Sequence, residues 1–371
     1  MESMFGSVRT VVAFLVVLGV LVFIHELGHY LAARWRGVHV ERFSIGFGRA
    51  LARWTDRRGT QWRVGWLPLG GYVKLHGQEQ PGDVDPAIRA TWRPGETFHD
   101  KPVLDRAIVV AAGPIANFAL AAVLFAALFA TVGRPVQTAT VGAVVAGSAA
   151  ERAGVQPGDA ILSIDGQPIR RFQDVQSRVE PSAGRPLQLL LSREGRELTV
   201  TATPEARVRS EGTPPVGVLG VAAGAPVFER VNPLSAVWQG IAYTGDVSKQ
   251  TLVGVWEMIT RARGTEELGG PLRIAQISGQ AAALGLASLV TFIAVLSVNL
   301  ALINLFPIPV LDGGHLVFYA AEAIRGRPLP PRAQEYGLRA GLAVLAMLFI
   351  FSTWNDLSSF GLFRWLGGLA G

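Results

Sequence analysis

The sequence predicts a polytopic α-helical membrane protein with about four transmembrane helices, a membrane-associated β-hairpin and one inserted extracytoplasmic α+β module. Three observations carry that prediction. Half of the 371 residues are hydrophobic and only 17% are charged, with a mean hydropathy of +0.34, too apolar for an ordinary soluble chain. Apolar runs recur at 11–24, 107–132, 281–311 and 340–354, the middle two without a single charge. Between those two the composition turns soluble.

About 20 apolar residues cross a bilayer, so 107–132 and 281–311 are ample, while the first and last runs need their flanks. A cleaved signal peptide competes for the first run, because one basic residue, Arg9, precedes an apolar core. No small-residue cleavage site follows. Instead the core runs into His25-Glu26-Leu27-Gly28-His29. Residues four apart share a helix face, so His25 and His29 can offer two imidazoles to one metal while Glu26 points at the attacking water. Zinc lowers the pKa of a bound water from nearly 16 to about 7, and a neighbouring carboxylate then takes its proton. Such groups inside a membrane are costly and seldom lack a function.

Residues 63–75 mix aromatic and β-branched side chains with Gly and Pro turns, the pattern of a short hairpin. Beside the His-Glu helix it is either a plain structural hairpin or a strand edge offered to an extended peptide.

The net charge of +6 and pI near 10.1 are explained by placement rather than by nucleic acid. Arg34, Arg36, Arg42 and Arg49 follow the first run, Arg89, Arg93, Lys101 and Arg106 precede the second, and Arg325, Arg327 and Arg332 precede the fourth. Those loops are expected to be cytoplasmic, which puts both termini and the segment between the second and third runs outside. The absence of cysteine excludes disulfides and thiolate metal ligands.

In the soluble stretch 141–204, Ser148 is placed to cap a short helix that Gly154 ends. Gly158-Asp159 then turns into a strand over 160–164, and Asp165-Gly166 reverses it. The string 147–166 closely resembles a PDZ domain, a module that binds extended peptides at a sheet edge. Residues 217–221 are either its last strand or a linker strand. Residues 233–263 space Trp238, Tyr243, Val247, Leu252, Val255, Trp256 and Ile259 as an amphipathic helix, lying on the membrane surface or packed on the protein. Residues 354–366 read similarly.

A catalytic zinc usually has three protein ligands, so two histidines are one short. The best third is Asp312, a carboxylate ending a long uncharged segment after Pro307 and Pro309, which interrupt helical hydrogen bonding and let the backbone aim it. His315 is a rival ligand, and Asp312 has the alternative role of capping the next helix.

HELGH in the first span, Ala112-Gly-Pro-Ile-Ala-Asn-Phe118 in the second, the PDZ-like string and 304–314 occur in one order with Gly70-Gly-Tyr-Val-Lys74 and 269–276. In that combination the chain resembles the site-2 protease family of intramembrane zinc metalloproteases, of the bacterial regulator-of-sigma-E protease type, over nearly its whole length. The resemblance implies a zinc metalloendopeptidase with His25, His29 and Asp312 as ligands and Glu26 as general base. It implies a substrate or oxyanion contact for Asn304, with a helix-packing hydrogen bond as the alternative, and leaves Asn117 equally open. Gly70, Gly71, Tyr72 and Val73 are the expected substrate-binding edge. The implied division is a membrane half at 1–136, one PDZ domain at 137–206 rather than a tandem pair, a linker and surface helix at 207–280, and a second membrane half at 281–371. The implied partners are single-span membrane proteins such as anti-sigma factors, signal-peptide remnants, a peptide or periplasmic ligand at the PDZ domain, and membrane lipid, with no nucleic acid. The implied location is the bacterial inner membrane, PDZ domain and termini periplasmic and the active site near the cytoplasmic side. A membrane-anchored PDZ adaptor leaves the His-Glu-His-Asp set unused, and a metal transporter leaves Glu26 unexplained.

Overall fold

The structure is a computed structural model that describes residues 2–78, 84–208, 215–260 and 269–360. The chain divides into two compact units, one formed by 1–128, 234–256 and 264–371, the other by 129–233 and 257–263. Among the described residues, four helices are long and apolar enough to cross a membrane.

In the first unit, α1 (Glu2–Trp35) and α3 (Val103–Thr131) are two of these, and α2 (Pro86–Arg89) is a short turn between them. Ala13, Val17, Leu21 and His25 follow one another at every fourth position of α1 and are all buried, so the apolar stripe that packs the helix also turns His25 inward. Val17 and Leu21 share a cluster with Ile293. At Gly28 a Cβ would lie 2.3 Å from the Ala112 carbonyl oxygen, so only glycine lets α1 approach α3 this closely.

Strands β1 (Val40–Thr55) and β2 (Gln61–Leu75) correct the expected small hairpin. Residues 63–75 form no hairpin alone; they are one strand whose partner is all of β1. The pair doubles back, because Phe43 is matched with both Val73 and Trp62, and Ser44 with both Tyr72 and Arg63. Gly46 and Gly48, with φ of +80° and +79°, provide the bend. Arg63 is also matched with Arg53 and is therefore interior to the sheet, whereas among the described residues Gly71–Leu75 pairs with β1 alone and forms an edge.

Helix α6 (Pro233–Ile259) turns Ala236, Gly240 and Thr244 to the interior, and a Cβ at Gly240 would meet the Ala122 carbonyl at 2.6 Å. It is thus packed on α3 along its small-residue face. Residues 261–263 of the expected helix and 361–366 of the C-terminal aromatic segment lie outside the described residues. Helix α7 (Pro271–Ala283) ends before Gly285, whose φ is +106°, and α8 (Leu286–Leu305) is the third apolar helix. The apolar run 281–311 is therefore not one helix. Helix α9 (Asp312–Arg325) follows the proline turn, and α10 (Pro331–Ser359) is the fourth apolar helix.

The second unit contains β3 (Arg134–Val136), β4 (Val141–Val144), α4 (Ala149–Arg152), β5 (Ala160–Ile164), β6 (Gln167–Pro168), α5 (Phe172–Val179), β7 (Leu187–Arg193), β8 (Arg196–Ala202), β9 (Glu205–Arg207), β10 (Val216–Val218), β11 (Val221–Ala223) and β12 (Val227–Glu229). Its main sheet has the order β6-β5-β7-β8. Ile161, Ile164, Leu187, Leu189, Leu191 and Val175 fill its core, the alternate residues of β7 pointing inward. Ser148 caps α4, its Oγ accepting from the Glu151 N–H at 3.3 Å. The boundary at 206 falls short of this unit, since β10 pairs with β9 and β11 returns to pair with β4. Residues 217–221 therefore belong to the module.

Candidate active site

Three elements far apart in sequence converge here. Helix α1 supplies His25, Glu26 and His29; the turn after α8 supplies Asp312; α3 supplies the wall behind them. His25 Nε2 lies 3.2 Å from Asp312 Oδ2, His29 Nε2 lies 3.5 Å from the same oxygen, and the two Nε2 atoms are 3.2 Å apart. Among the described residues, His25, His29 and Asp312 form the one group of such side chains able to hold a metal, with ligand atoms within 4.8 Å of one another. His315 lines the same cavity but stands outside that group.

The residues fit a zinc ion. Asp312 Oδ2 is buried and accepts no hydrogen bond, although two imidazole nitrogens face it. Two imidazole nitrogens and a carboxylate oxygen that converge within 3.5 Å form a donor set suited to a cation. The outer nitrogen of His29, Nδ1, meets the Val109 carbonyl oxygen at 2.9 Å. A carbonyl only accepts, so Nδ1 carries the proton and Nε2 presents its lone pair.

The turn that delivers Asp312 is made by sequence. Helix α8 stops at Leu305, the Leu311 N–H bonds the Ile308 carbonyl at 3.0 Å, and Val310 adopts φ of +103°, a strained conformation for a β-branched residue. Asp312 then opens α9 from its first turn, with Leu311 in the capping position. Helix α10 braces the turn: a Cβ at Gly341 would lie 1.7 Å from the Pro309 carbonyl oxygen. Arg106 on α3 holds Glu322 on α9 at 2.6 Å and lies over the Tyr319 ring.

A cavity of about 930 Å³ opens over the site, and Glu26, His25, His29, Asp312, Asn304, Gly71, Tyr72 and Val73 all line it. Gly71 sits against Glu26, where a Cβ would be 3.0 Å from Cγ of the glutamate and 2.7 Å from the Ser44 carbonyl. Gly70 is not part of the cavity wall; its φ of +110° serves the bend of β2 against Phe47. Asn304 Nδ2 donates to the Leu300 carbonyl at 3.0 Å from within the same wall.

Behind the histidines stand Gly113, to which the sequence assigns no role, and Asn117, which the resemblance leaves open between a substrate contact and a packing hydrogen bond. Gly113 faces both histidines, and Asn117, fully buried, places its side-chain amide 3.2 Å from His25 Nδ1. The Gly-Pro-Ile-Ala-Asn string was the signal; its meaning depends on which helix it faces.

Comparison with known proteins agrees with this chemistry. A protein of Rhizobium meliloti (strain 1021), provisionally named a zinc metalloprotease, is 44% identical over 363 residues, covering 94% of this chain and 96% of that one. The metalloprotease MmpA of Caulobacter vibrioides is 41% identical, covering 99% and 100%, and the protease RseP of Yersinia pestis is 32% identical, covering 96% and 100%. Similar solved structures include the PDZ domain of an SdrC-like protein from Listeria innocua, 15% identical and covering 25% of this chain and 99% of that one, with a TM-score of 0.21. The profile of peptidase family M50 matches residues 13–348, a stretch that contains both histidines, the glutamate and the aspartate, and the chain belongs to that family of zinc metalloproteases.

Proposed function

We propose that this zinc metalloprotease hydrolyses a peptide bond within or beside the transmembrane segment of single-span membrane proteins. The observation that carries the proposal is the convergence of three ligand atoms on half-buried side chains beside a helix long and apolar enough to span a bilayer, with Glu26 on the same cavity. The proposed ligands are His25, His29 and Asp312. Zinc held there supplies a Lewis acid that polarises the scissile carbonyl and acidifies the attacking water. Glu26 takes the proton from that water onto its carboxylate as oxygen bonds to the carbonyl carbon, then returns it to the departing amine nitrogen as the C–N bond breaks. Asn304, which gives one N–H to Leu300, directs the other toward the substrate carbonyl.

Helical carbonyls are hydrogen-bonded and shielded, so the substrate segment has to unwind, and exposed peptide groups are costly in lipid. Pairing with the edge Gly71–Leu75 offsets that cost, Tyr72 and Val73 lying along the cavity. The basic loops support a topology in a bacterial inner membrane with the active site toward the cytoplasm and the PDZ-like segment and termini periplasmic. Substrates of the anti-sigma-factor type and signal-peptide remnants suit this arrangement, and the module binds or sizes their outer peptide ends.

The test is cleavage of a single-span substrate by purified wild type and Glu26→Gln, with zinc quantified in the same samples. Cleavage within the span by wild type, and none by a mutant that keeps its zinc, is the expected result. Zinc in both proteins with no cleavage by either overturns the protease reading and favours an adaptor or a transporter.

A further inference from the structure

We infer that Asn117 is a positioning residue for the metal centre: its side-chain oxygen accepts the Nδ1 proton of His25 and so turns the Nε2 lone pair toward the ion. This rests on the proposal that His25, His29 and Asp312 hold zinc.

The two histidines are held differently. His29 faces the Val109 carbonyl, a group with no proton to give, so its tautomer is settled by the backbone of α3. His25 faces a carboxamide. With the amide nitrogen toward the ring, Nδ1 is the bare nitrogen and the proton sits on Nε2, facing Asp312 Oδ2 at 3.2 Å. With the amide oxygen toward the ring, the proton sits on Nδ1 and Nε2 is bare. A half-turn of a planar carboxamide exchanges the two without changing its shape.

A metal ion selects the second arrangement, because only a bare Nε2 can be turned toward it. Asn117 is 0% exposed, and its Oδ1 has no hydrogen-bond partner among the described residues. In the structure Nδ2 is the atom that stands 3.2 Å from His25 Nδ1; the half-turn brings Oδ1 to the Nδ1–H of His25 and leaves the amide nitrogen in the place Oδ1 held. The residue is well anchored for this role, because Ser297 Oγ on α8 donates to the Asn117 carbonyl at 2.8 Å and the Gly28 contact fixes α3 on α1. Metal-bound histidines generally give their second N–H to an acceptor, which orients the ring and raises its basicity. Asn117 therefore does for His25 what the Val109 carbonyl does for His29, and its amide can also hold the ring as the other tautomer before zinc enters.

The experiment compares wild type, Asn117→Asp and Asn117→Leu in detergent by zinc content and by the rate of zinc loss to a chelator, with thermal unfolding as a check on folding. Asp keeps the acceptor and removes the amide donor; Leu removes both. Asn117→Asp is expected to hold zinc at least as tightly as wild type, and Asn117→Leu to lose it about 10- to 100-fold faster. If Asn117→Asp sheds zinc faster than wild type, the amide nitrogen is the working group and the assignment is wrong, whether or not the leucine variant folds. If Asn117→Leu folds and holds zinc as wild type does, the assignment is also wrong. Wild type that binds no zinc overturns the metal reading itself; wild type that binds it while Asn117→Asp does not overturns only the role of Asn117.

Discussion

Gly113 of α3 lies directly against His29 of α1: a Cβ at position 113 would sit 2.3 Å from Nε2 and 2.9 Å from Cε1 of His25. No side chain fits between the helix and the two imidazoles. Gly113→Ala is therefore expected to push the rings out of convergence and cut zinc affinity by at least about 10-fold, while the intrinsic helix preference of alanine favours α3. Zinc content of the purified variant checks this; a fully loaded Gly113→Ala protein means that the rings tolerate the displacement.

Gly71 makes a second demand of the same kind, on Glu26, the proposed general base. A Cβ there meets the Ser44 carbonyl, Val22 and Glu26 at 2.7, 2.8 and 3.0 Å. Gly71→Val is expected to displace Glu26 or the edge strand and lower cleavage by about 100-fold, the usual scale for losing a general base, with zinc retained. Single-turnover cleavage beside zinc quantification separates the two effects.

Edge pairing predicts an alternation. Neighbouring residues of an antiparallel strand send their N–H groups to opposite sides, so of Tyr72 and Val73 one donates toward β1 and the other outward. Proline at the outward position is expected to slow cleavage without lowering thermal stability, and proline at the other to lower stability. Equal cleavage by wild type and by whichever proline variant remains fully stable sinks the pairing idea.

Much of this site was legible in the chain because it rests on local rules. His25 and His29 share a helix face by spacing alone, and Asp312 stands out as the carboxylate closing a long uncharged run. Gly113 was not legible, and Asn117 was legible only as an asparagine with two open roles, since their contacts exist only where α3 crosses α1, 92 residues away in sequence for Asn117 and His25. The β character of 63–75 was visible in its aromatic and β-branched residues, but it was read as a hairpin of its own, because its doubled register with β1 is set by backbone bends at Gly46 and Gly48 that its composition does not record. The third apolar run hid a helix break at Gly285 because hydropathy does not distinguish one long helix from two.

In the second unit, Asp159 is 1% exposed and is gripped from two sides, by Arg193 Nε and Nη2 at 2.8 Å each and by the Gln156 N–H at 2.8 Å. The Arg193 guanidinium holds its carboxyl below the usual carboxylate range, outweighing burial. A depressed pKa stabilises the fold above the unfolded value and loses that contribution as pH falls through the folded one. The module is expected to keep its stability from neutral pH down to about 5 and to lose it below about 4, whereas Asp159→Asn is weaker by about 2 kcal/mol at pH 7 and flatter in acid. Urea unfolding of segment 133–230, which carries its own core, followed by circular dichroism, measures both.

Asp356 near the end of α10 is 1% exposed and accepts three backbone N–H groups from the start of α7, those of Gly270, Leu272 and Arg273, at 2.8 to 3.0 Å. These are N–H groups that a helix leaves without internal partners, and a carboxylate from another element serves as their cap and complements the helix dipole. The fit is close, since a Cβ at Gly270 would lie 2.7 Å from Asp356 Oδ2 and 2.8 Å from the Ser352 carbonyl. Helix α10 is otherwise largely exposed, with Gly341 and Asp356 as its buried residues, and this cap and the Pro309 contact both tie it to the rest of the unit. Asp356→Ala strands the three donors and is expected to cost about 2–3 kcal/mol, seen as a lower unfolding temperature in detergent. Asp356→Asn, which keeps one acceptor oxygen, is expected to fall between. Since none of the proposed ligands lies on α7, zinc content is expected to stay at the wild-type level in both variants. Loss of zinc in Asp356→Ala at a temperature where it remains folded means instead that the cap also braces the turn carrying Asp312, through Gly341 of the same helix.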